Sequence, residues 1–390
     1  MKSILAAVLL LFLAPAIGGD PFYTPPSPLR PGPPGTLLRA SPVTFAPKGA
    51  RGWRILYRSE DSSGAPTVSS GMVFAPAAAA PAAGRFVVAW AHGTVGLAPQ
   101  CAPSRSSQPL TDMDWLGGMI SSGWVVVATD YAGLGTPGVQ HYLIGADEAR
   151  DVLNSVRAAR QLVGAGAGRR FATWGHSQGG HASLFAAQIS ARYAPELQLI
   201  AAAAAAPAAE LVSLMSQQFR SAIGWVIGPE VVRVWPDVYP GLAPSDVASP
   251  AGLRNYQRLA AECVFHSSMA IEAEIRSKLG ESFFARDPST VPAWRARAEE
   301  NTPTPLAPAV PVLIAQGLAD EVVLPNTTSL LAQRWCAAHS RLTMLWLKAT
   351  NHVQVAGVAG PAVTAWLRQR AAGVTATATC GATLPVPPAK

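Results

Sequence analysis

Apolar residues in this chain fall into short unbroken runs rather than alternating with polar ones. Residues 86–91, 124–129, 171–174, 312–315 and 342–347 are each of strand length. They are rich in Val, Ile, Leu and Trp, as expected for strands of a parallel sheet buried on both faces. Between them the period becomes helical: Ala149, Val152, Leu153, Val156, Ala159 and Val163 share one stripe. Further helices are predicted after Gln178, over 328–338 and from near Pro361, a favoured first-turn residue. Residues 197–206 stay open. Their alanines favour helix, whereas their place in the alternation favours a strand ended by Pro207. The pattern predicts an α/β fold with a mostly parallel central sheet covered by helices on both faces.

Two stretches break the pattern. Residues 20–48 carry Pro25, Pro26, Pro28, Pro31, Pro33, Pro34, Pro42 and Pro47. Proline fixes φ and removes a donor, so this is read as an extended N-terminal arm, neither a helix nor a central strand. From 208 to 306 the strand runs stop. Leu211, Leu214, Met215, Phe219, Ile223 and Trp225 recur at helical spacing, and many prolines follow. This segment is expected to be an inserted helical cap, leaving 49–207 and 307–390 as the core.

Composition narrows the class. The 390 residues amount to about two to three domain-sized units. At 49% apolar and 14% charged, the chain is not intrinsically disordered. The net charge is +7, mostly from Arg scattered without a basic run longer than a pair. No nucleic-acid partner is therefore expected. Met1-Lys2, the apolar run 4–14 and the small residues up to Gly19 read as a signal peptide over 1–19. The run is too short to span a bilayer, and no later stretch reads as a span. The expected location is secreted or periplasmic, with contact to a lipid interface at most transient. Nothing in the sequence indicates the oligomeric state.

Export decides how the cysteines are read. Cys101, Cys263, Cys336 and Cys380 lack zinc-ligand spacing, and an even count in an oxidising compartment favours two disulfides. Three connectivities fit. The favoured one joins Cys101 to Cys263 and Cys336 to Cys380, each closing a long loop worth about 3–5 kcal/mol in the entropy model.

The candidate chemistry starts at Gly175-His176-Ser177-Gln178-Gly179-Gly180, which fits G-x-S-x-G between a predicted strand and a predicted helix. Such a turn exposes the serine hydroxyl at a strand end, where the helix N-terminus favours developing negative charge. A serine needs a base, and in this arrangement the order is Ser, then acid, then His. His352 follows the run 342–347, and Asp320 follows the run 312–315. Both fall at carboxyl ends of strands, where catalytic groups gather. Asp320 would orient His352 through Nδ1–H, with its neighbour Glu321 facing solvent. A histidine base must be neutral, so activity is expected to rise through about pH 6–8. The oxyanion would be held by the amide of Gln178 and by that of Thr94 or Gly93, in the loop after the run 86–91. His92, His176 and His181 are read as structural, and His339, at the end of the helix over 328–338, as a capping or surface residue.

Gly133-Leu134-Gly135-Thr136-Pro137-Gly138 mimics a dinucleotide fingerprint. Pro137 intervenes, however, and the next helix starts only near Ala146, so no nicotinamide or flavin site is expected. No cofactor or metal is called for.

Taken together, these motifs resemble those of the secretory lipase family, the lipase A-like α/β-hydrolases. The likeness is carried by Phe22-Tyr23-Thr24-Pro25-Pro26 with Pro34-Gly35-Thr36, by Ala91-His92-Gly93-Thr94 and by Asp130-Tyr131-Ala132-Gly133-Leu134-Gly135. It extends to the serine motif through His181, to Asp320 and to His352. The resemblance implies an α/β-hydrolase fold and an extracellular carboxylic-ester hydrolase acting on lipid-like or other apolar acyl esters. It also supports the two favoured cysteine pairs. Acyl transfer or amide hydrolysis by the same residues is the alternative chemistry, and a silent relative that binds lipid is the alternative outside enzymes.

Overall fold

The computed structural model describes residues 20–29, 31–264, 273, 275, 276 and 278–390. The signal peptide expected over 1–19 lies outside them. The strands are β1 (Leu37–Val43), β2 (Ala50–Glu60), β3 (Pro66–Pro76), β4 (Arg85–Ala91), β5 (Val125–Ala132), β6 (Ala167–His176), β7 (Gln198–Ala205), β8 (Val312–Gly317) and β9 (Leu342–Leu347). They form one nine-stranded sheet in the order β1-β2-β3-β5-β4-β6-β7-β8-β9. Every pair from β5 through β9 is parallel, and β1, β2 and β3 join antiparallel at one edge.

Helices cover both faces. On one lie α2 (Gly145–Gln161), α3 (Gln178–Tyr193) and α8 (Pro325–Ala337); on the other lie α1 (Leu116–Ser121) and α9 (Val355–Ala371). The open stretch 197–206 is resolved as strand β7. Its alanines alternate: Ala202 and Ala204 face α3 and α8, while Ala201, Ala203 and Ala205 face the Trp90–Trp115–Trp174 side. Small side chains between two parallel neighbours let both helix layers pack close, and this context overrides helix propensity.

The start of the last helix needs correcting, and two other segments gain detail. In the Pro-rich arm, after a 3₁₀ turn at Pro21–Tyr23, the second half becomes edge strand β1. Pro42 sits within that strand, as an edge permits. Helix α9 begins at Val355, ahead of Pro361. Asn351 and Gln354 there exchange side-chain to backbone hydrogen bonds in capping-box fashion and start the helix early. Finally, the helical spacing from Leu211 to Trp225 spans two helices, α4 (Leu211–Gln218) and α5 (Gly224–Val238).

Between β7 and β8 the chain also forms α6 (Pro250–Ala260) and α7 (Pro292–Glu300). These helices have their own core, in which Trp225, Trp235, Phe283 and Trp294 are buried and Trp235 stacks on Trp294 at 6.0 Å. Disulfides join Cys101 to Cys263, with Cα atoms 5.3 Å apart, and Cys336 to Cys380, 5.4 Å apart. The first fastens the loop after β4 to the segment after α6.

Candidate active site

Ser177 stands between β6 and α3 with φ +55° and ψ −118°, a conformation rarely adopted by a side-chain-bearing residue. Its N–H donates to the Ala205 carbonyl of β7 at 2.9 Å, and its own carbonyl accepts from His181 N–H at 3.0 Å. The flanking glycines are steric requirements. A Cβ on Gly175 would run into the Gly179 carbonyl, and one on Gly179 into the Ala91 carbonyl of β4.

His352 lies in the loop between β9 and α9. Its Nε2 is 2.9 Å from Ser177 Oγ, and its Nδ1 is 2.8 Å from Asp320 Oδ2. A carboxylate only accepts, so Nδ1 carries the proton and Nε2 is left to accept from the serine hydroxyl. Asp320 is buried in the turn after β8. Its Oδ1 accepts from Val322 N–H at 2.9 Å and Val323 N–H at 3.0 Å, and Gln316 Nε2 donates to Oδ2 at 3.2 Å. Glu321 is exposed.

His176, expected to be merely structural, is tied to this relay. Its Nε2 donates to the His352 carbonyl at 2.9 Å, and the two rings are 4.8 Å apart. Burial, with a smaller push from the neighbouring His352, lowers its pKa to about 3, so it stays neutral. His92 is buried with Nδ1 2.7 Å from the Gly93 carbonyl and shapes its loop. His339 ends α8, before β9, away from the strand ends that carry the other groups. Gly133, Gly135 and Gly138 all have positive φ in a loop that α2 does not directly continue, so the dinucleotide mimic is a turn. Among the described residues no group of His, Cys, Asp or Glu could hold a metal ion.

Gly93 and Thr94 line a cavity of about 280 Å³ together with Ser177 and His352. A Cβ on Gly93 would sit 3.4 Å from Ser177 Cβ, an ordinary contact, so this loop lies directly against Ser177. Gln178 opens α3. Its side chain donates to Glu148 Oε1 at 2.6 Å, and Glu148 also takes Leu143 N–H at 3.0 Å and pairs with His181 Nδ1 at 3.1 Å. His181 Nε2 donates in turn to the Asn301 carbonyl at 2.8 Å, beyond α7. Sequence reasoning missed Glu148. It lies on an ordinary helix stripe, and nothing local distinguishes it from a solvated acid.

Above Ser177 a second cavity of about 100 Å³ opens under α4 and α5, lined by Leu211, Leu214, Met215, Phe219, Ile227 and Val231.

The chain is similar to several known proteins. A probable inactive lipase of Mycobacterium tuberculosis is 26% identical, over 91% of this chain and 82% of its own. Lipase A of Arthroderma benhamiae is 24% identical, over 93% and 81%. Among solved structures, Candida antarctica lipase A superposes with a TM-score of 0.72 at 17% identity, over 95% of this chain and 89% of that one. The rice cell wall degrading esterase LipA from Xanthomonas oryzae does so with a TM-score of 0.71 at 19% identity, over 88% and 99%. The fold is thus that of the α/β-hydrolases. Residues 102–379 match the model of the secretory lipase family, and the chain belongs to that family.

Proposed function

We propose that the protein is a secreted serine hydrolase of carboxylic esters with apolar acyl groups. The observation that carries this reading is the unbroken relay from Ser177 Oγ through His352 to Asp320, at 2.9 and 2.8 Å. Ser177 Oγ attacks the ester carbonyl while His352 Nε2 takes its proton. The tetrahedral oxyanion accepts hydrogen bonds from the amides of Gln178 and Thr94 or Gly93. As the carbon–oxygen bond breaks, His352 gives its proton to the departing alcohol. Water, deprotonated by the same imidazole, then attacks the acyl-enzyme, and the proton returns to Ser177. Asp320 holds the imidazole in one tautomer and offsets its charge.

The segment 208–306 acts as the cap over a core of 49–207 and 307–390, and its apolar cavity takes the acyl chain. Two disulfides and membership of a secretory family support export. No helix among the described residues is long and apolar enough to cross a membrane.

The test is a p-nitrophenyl ester series of increasing acyl length on the wild type and Ser177→Ala. The wild type should hydrolyse at least part of the series with a chain-length preference, and the variant should lose at least about 10³-fold in kcat. One relative carries the name of a probable inactive lipase. Absence of turnover across the whole series would place this chain with it, as a silent binder.

A further inference from the structure

Leu143 adopts φ +55°, a left-handed conformation that a bulky residue keeps only when its surroundings impose it. The constraint here is one carboxylate. Glu148, buried in the first turn of α2, accepts the Leu143 N–H on Oε1 at 3.0 Å. The same oxygen accepts from Gln178 Nε2 at 2.6 Å. Tyr142, the residue before Leu143, has its hydroxyl 2.7 Å from Thr94 Oγ1. Glu148 therefore reaches both sides of Ser177: Gln178 directly, and the Gly93-Thr94 loop by way of Leu143 and Tyr142. Tyr142 and Leu143 also line the apolar cavity beside Ser177 and Gln178.

The other carboxylate oxygen is held from the cap. Glu148 Oε2 is 3.1 Å from His181 Nδ1, and His181 Nε2 donates to the Asn301 carbonyl at 2.8 Å. Carboxylate and carbonyl are both acceptors, so one proton lies between Glu148 and His181 in addition to the one on Nε2. The pair is neutral as a unit, and no bare negative charge stands behind the serine to oppose a developing oxyanion. Asn301 is itself fixed. Its Oδ1 accepts the Gly145 N–H at 2.9 Å, at the start of α2, and its Nδ2 donates to Tyr239 OH at 2.6 Å, just past α5. Glu148, His181 and Asn301 are all buried.

We propose that Glu148 is the positioning residue of the oxyanion hole: its carboxylate sets the spacing between the Gln178 amide and the Gly93-Thr94 loop, with His181 and Asn301 holding the carboxylate in place. The proposal rests on the ester-hydrolase reading and adds to it a residue that acts without touching substrate. The Gln178 N–H opens α3, where it has no partner within the helix. A free donor stabilises an oxyanion only if it is aimed before the reaction starts, and a misplacement of about 1 Å can cost on the order of 10²-fold in rate. An apolar side chain of the same size at position 148 would leave Gln178 Nε2, the Leu143 N–H and His181 without their partner. A glutamine would not. Its amide oxygen replaces Oε1, and its NH₂ donates to His181 Nδ1, so His181 Nε2 keeps its bond to Asn301.

The experiment measures kcat and KM on p-nitrophenyl butyrate for the wild type, Glu148→Met, Glu148→Gln and Gln178→Met. Active sites are counted by titrating each protein to completion with a serine-directed phosphonate. Counting sites separates positioning from folding, because a merely structural residue would change the melting temperature and the number of sites but not kcat per site. Per site, Glu148→Met should lose about 10²-fold in kcat, with KM within about threefold of the wild type. Gln178→Met keeps the backbone N–H and removes only its anchor, so it should lose about tenfold, the worth of one buried hydrogen bond. Glu148→Gln should stay within about threefold of the wild type, since it restores every hydrogen bond that Glu148→Met removes. Should Glu148→Met fail to fold, the other two variants decide alone. Gln178→Met within about twofold of the wild type overturns the proposal, as does a folded Glu148→Met within about twofold or a Glu148→Gln that loses about tenfold or more. Wild type that neither hydrolyses the ester nor takes up the phosphonate overturns the underlying reading instead, and this one with it.

Discussion

Two buried carboxyl groups show how differently the sheet rim and the inserted helices are built. Asp320, after β8, has hydrogen-bond donors on both oxygens: two backbone amides, Gln316 and His352. Glu230, on α5, is fully buried, and neither of its oxygens has a partner among the described residues. The first is held by four donors beside an imidazole. The second is kept uncharged by its surroundings, with burial alone pushing its pKa well above 4.5. The rim's polar contacts converge on Asp320 and His352, whereas the helical insert relies on the packing of Trp225, Trp235 and Trp294. Substitutions in the first should change turnover, and substitutions in the second should change stability.

The largest effect is expected at the rim. Asp320→Asn keeps the shape but places an amide donor where His352 needs an acceptor. We expect kcat on a short p-nitrophenyl ester to fall by about 10³–10⁴-fold with the melting temperature little changed. A loss below tenfold would break the contrast by making Asp320 merely structural. Glu230→Met should do the reverse, stabilising the protein by about 1–3 kcal/mol without a matching loss of kcat. Its pH dependence sharpens the point. With the folded pKa raised, the unfolded chain releases the proton first, so wild-type stability drains away as pH climbs above about 4.5. Denaturant unfolding at pH 5 and pH 8 should therefore show the larger gain for Glu230→Met at pH 8. An equal gain at both would mean that the carboxyl does not titrate differently in the two states.

The same contrast explains what the sequence discloses. Strands β4, β5, β6 and β8 were legible because central strands buried on both faces read as apolar runs, and edge strand β9 kept such a run, whereas β7 stayed open because its alanines also favour helix. The antiparallel edge was not, since β2 and β3 carry Arg58, Ser59, Ser69 and Ser70 at buried positions. Ser70 is admitted there by Asp130, which it meets at 2.6 Å across 60 residues of chain. Ser177, Asp320 and His352 were legible because each directly follows a strand. Glu148 and the tie from His176 to His352 were not. Their partners come from distant segments, and a lone acid in a loop or on a helix face has no periodicity to betray it.

The most direct measurement is covalent labelling with a serine-directed alkyl phosphonate, read by intact mass and peptide mapping, on wild type, Ser177→Ala and His352→Ala. The wild type should gain one adduct, on Ser177. Ser177→Ala should gain none, and His352→Ala should label far more slowly. An adduct that persists in Ser177→Ala, or wild-type labelling at another residue, would contradict the assignment of the nucleophile.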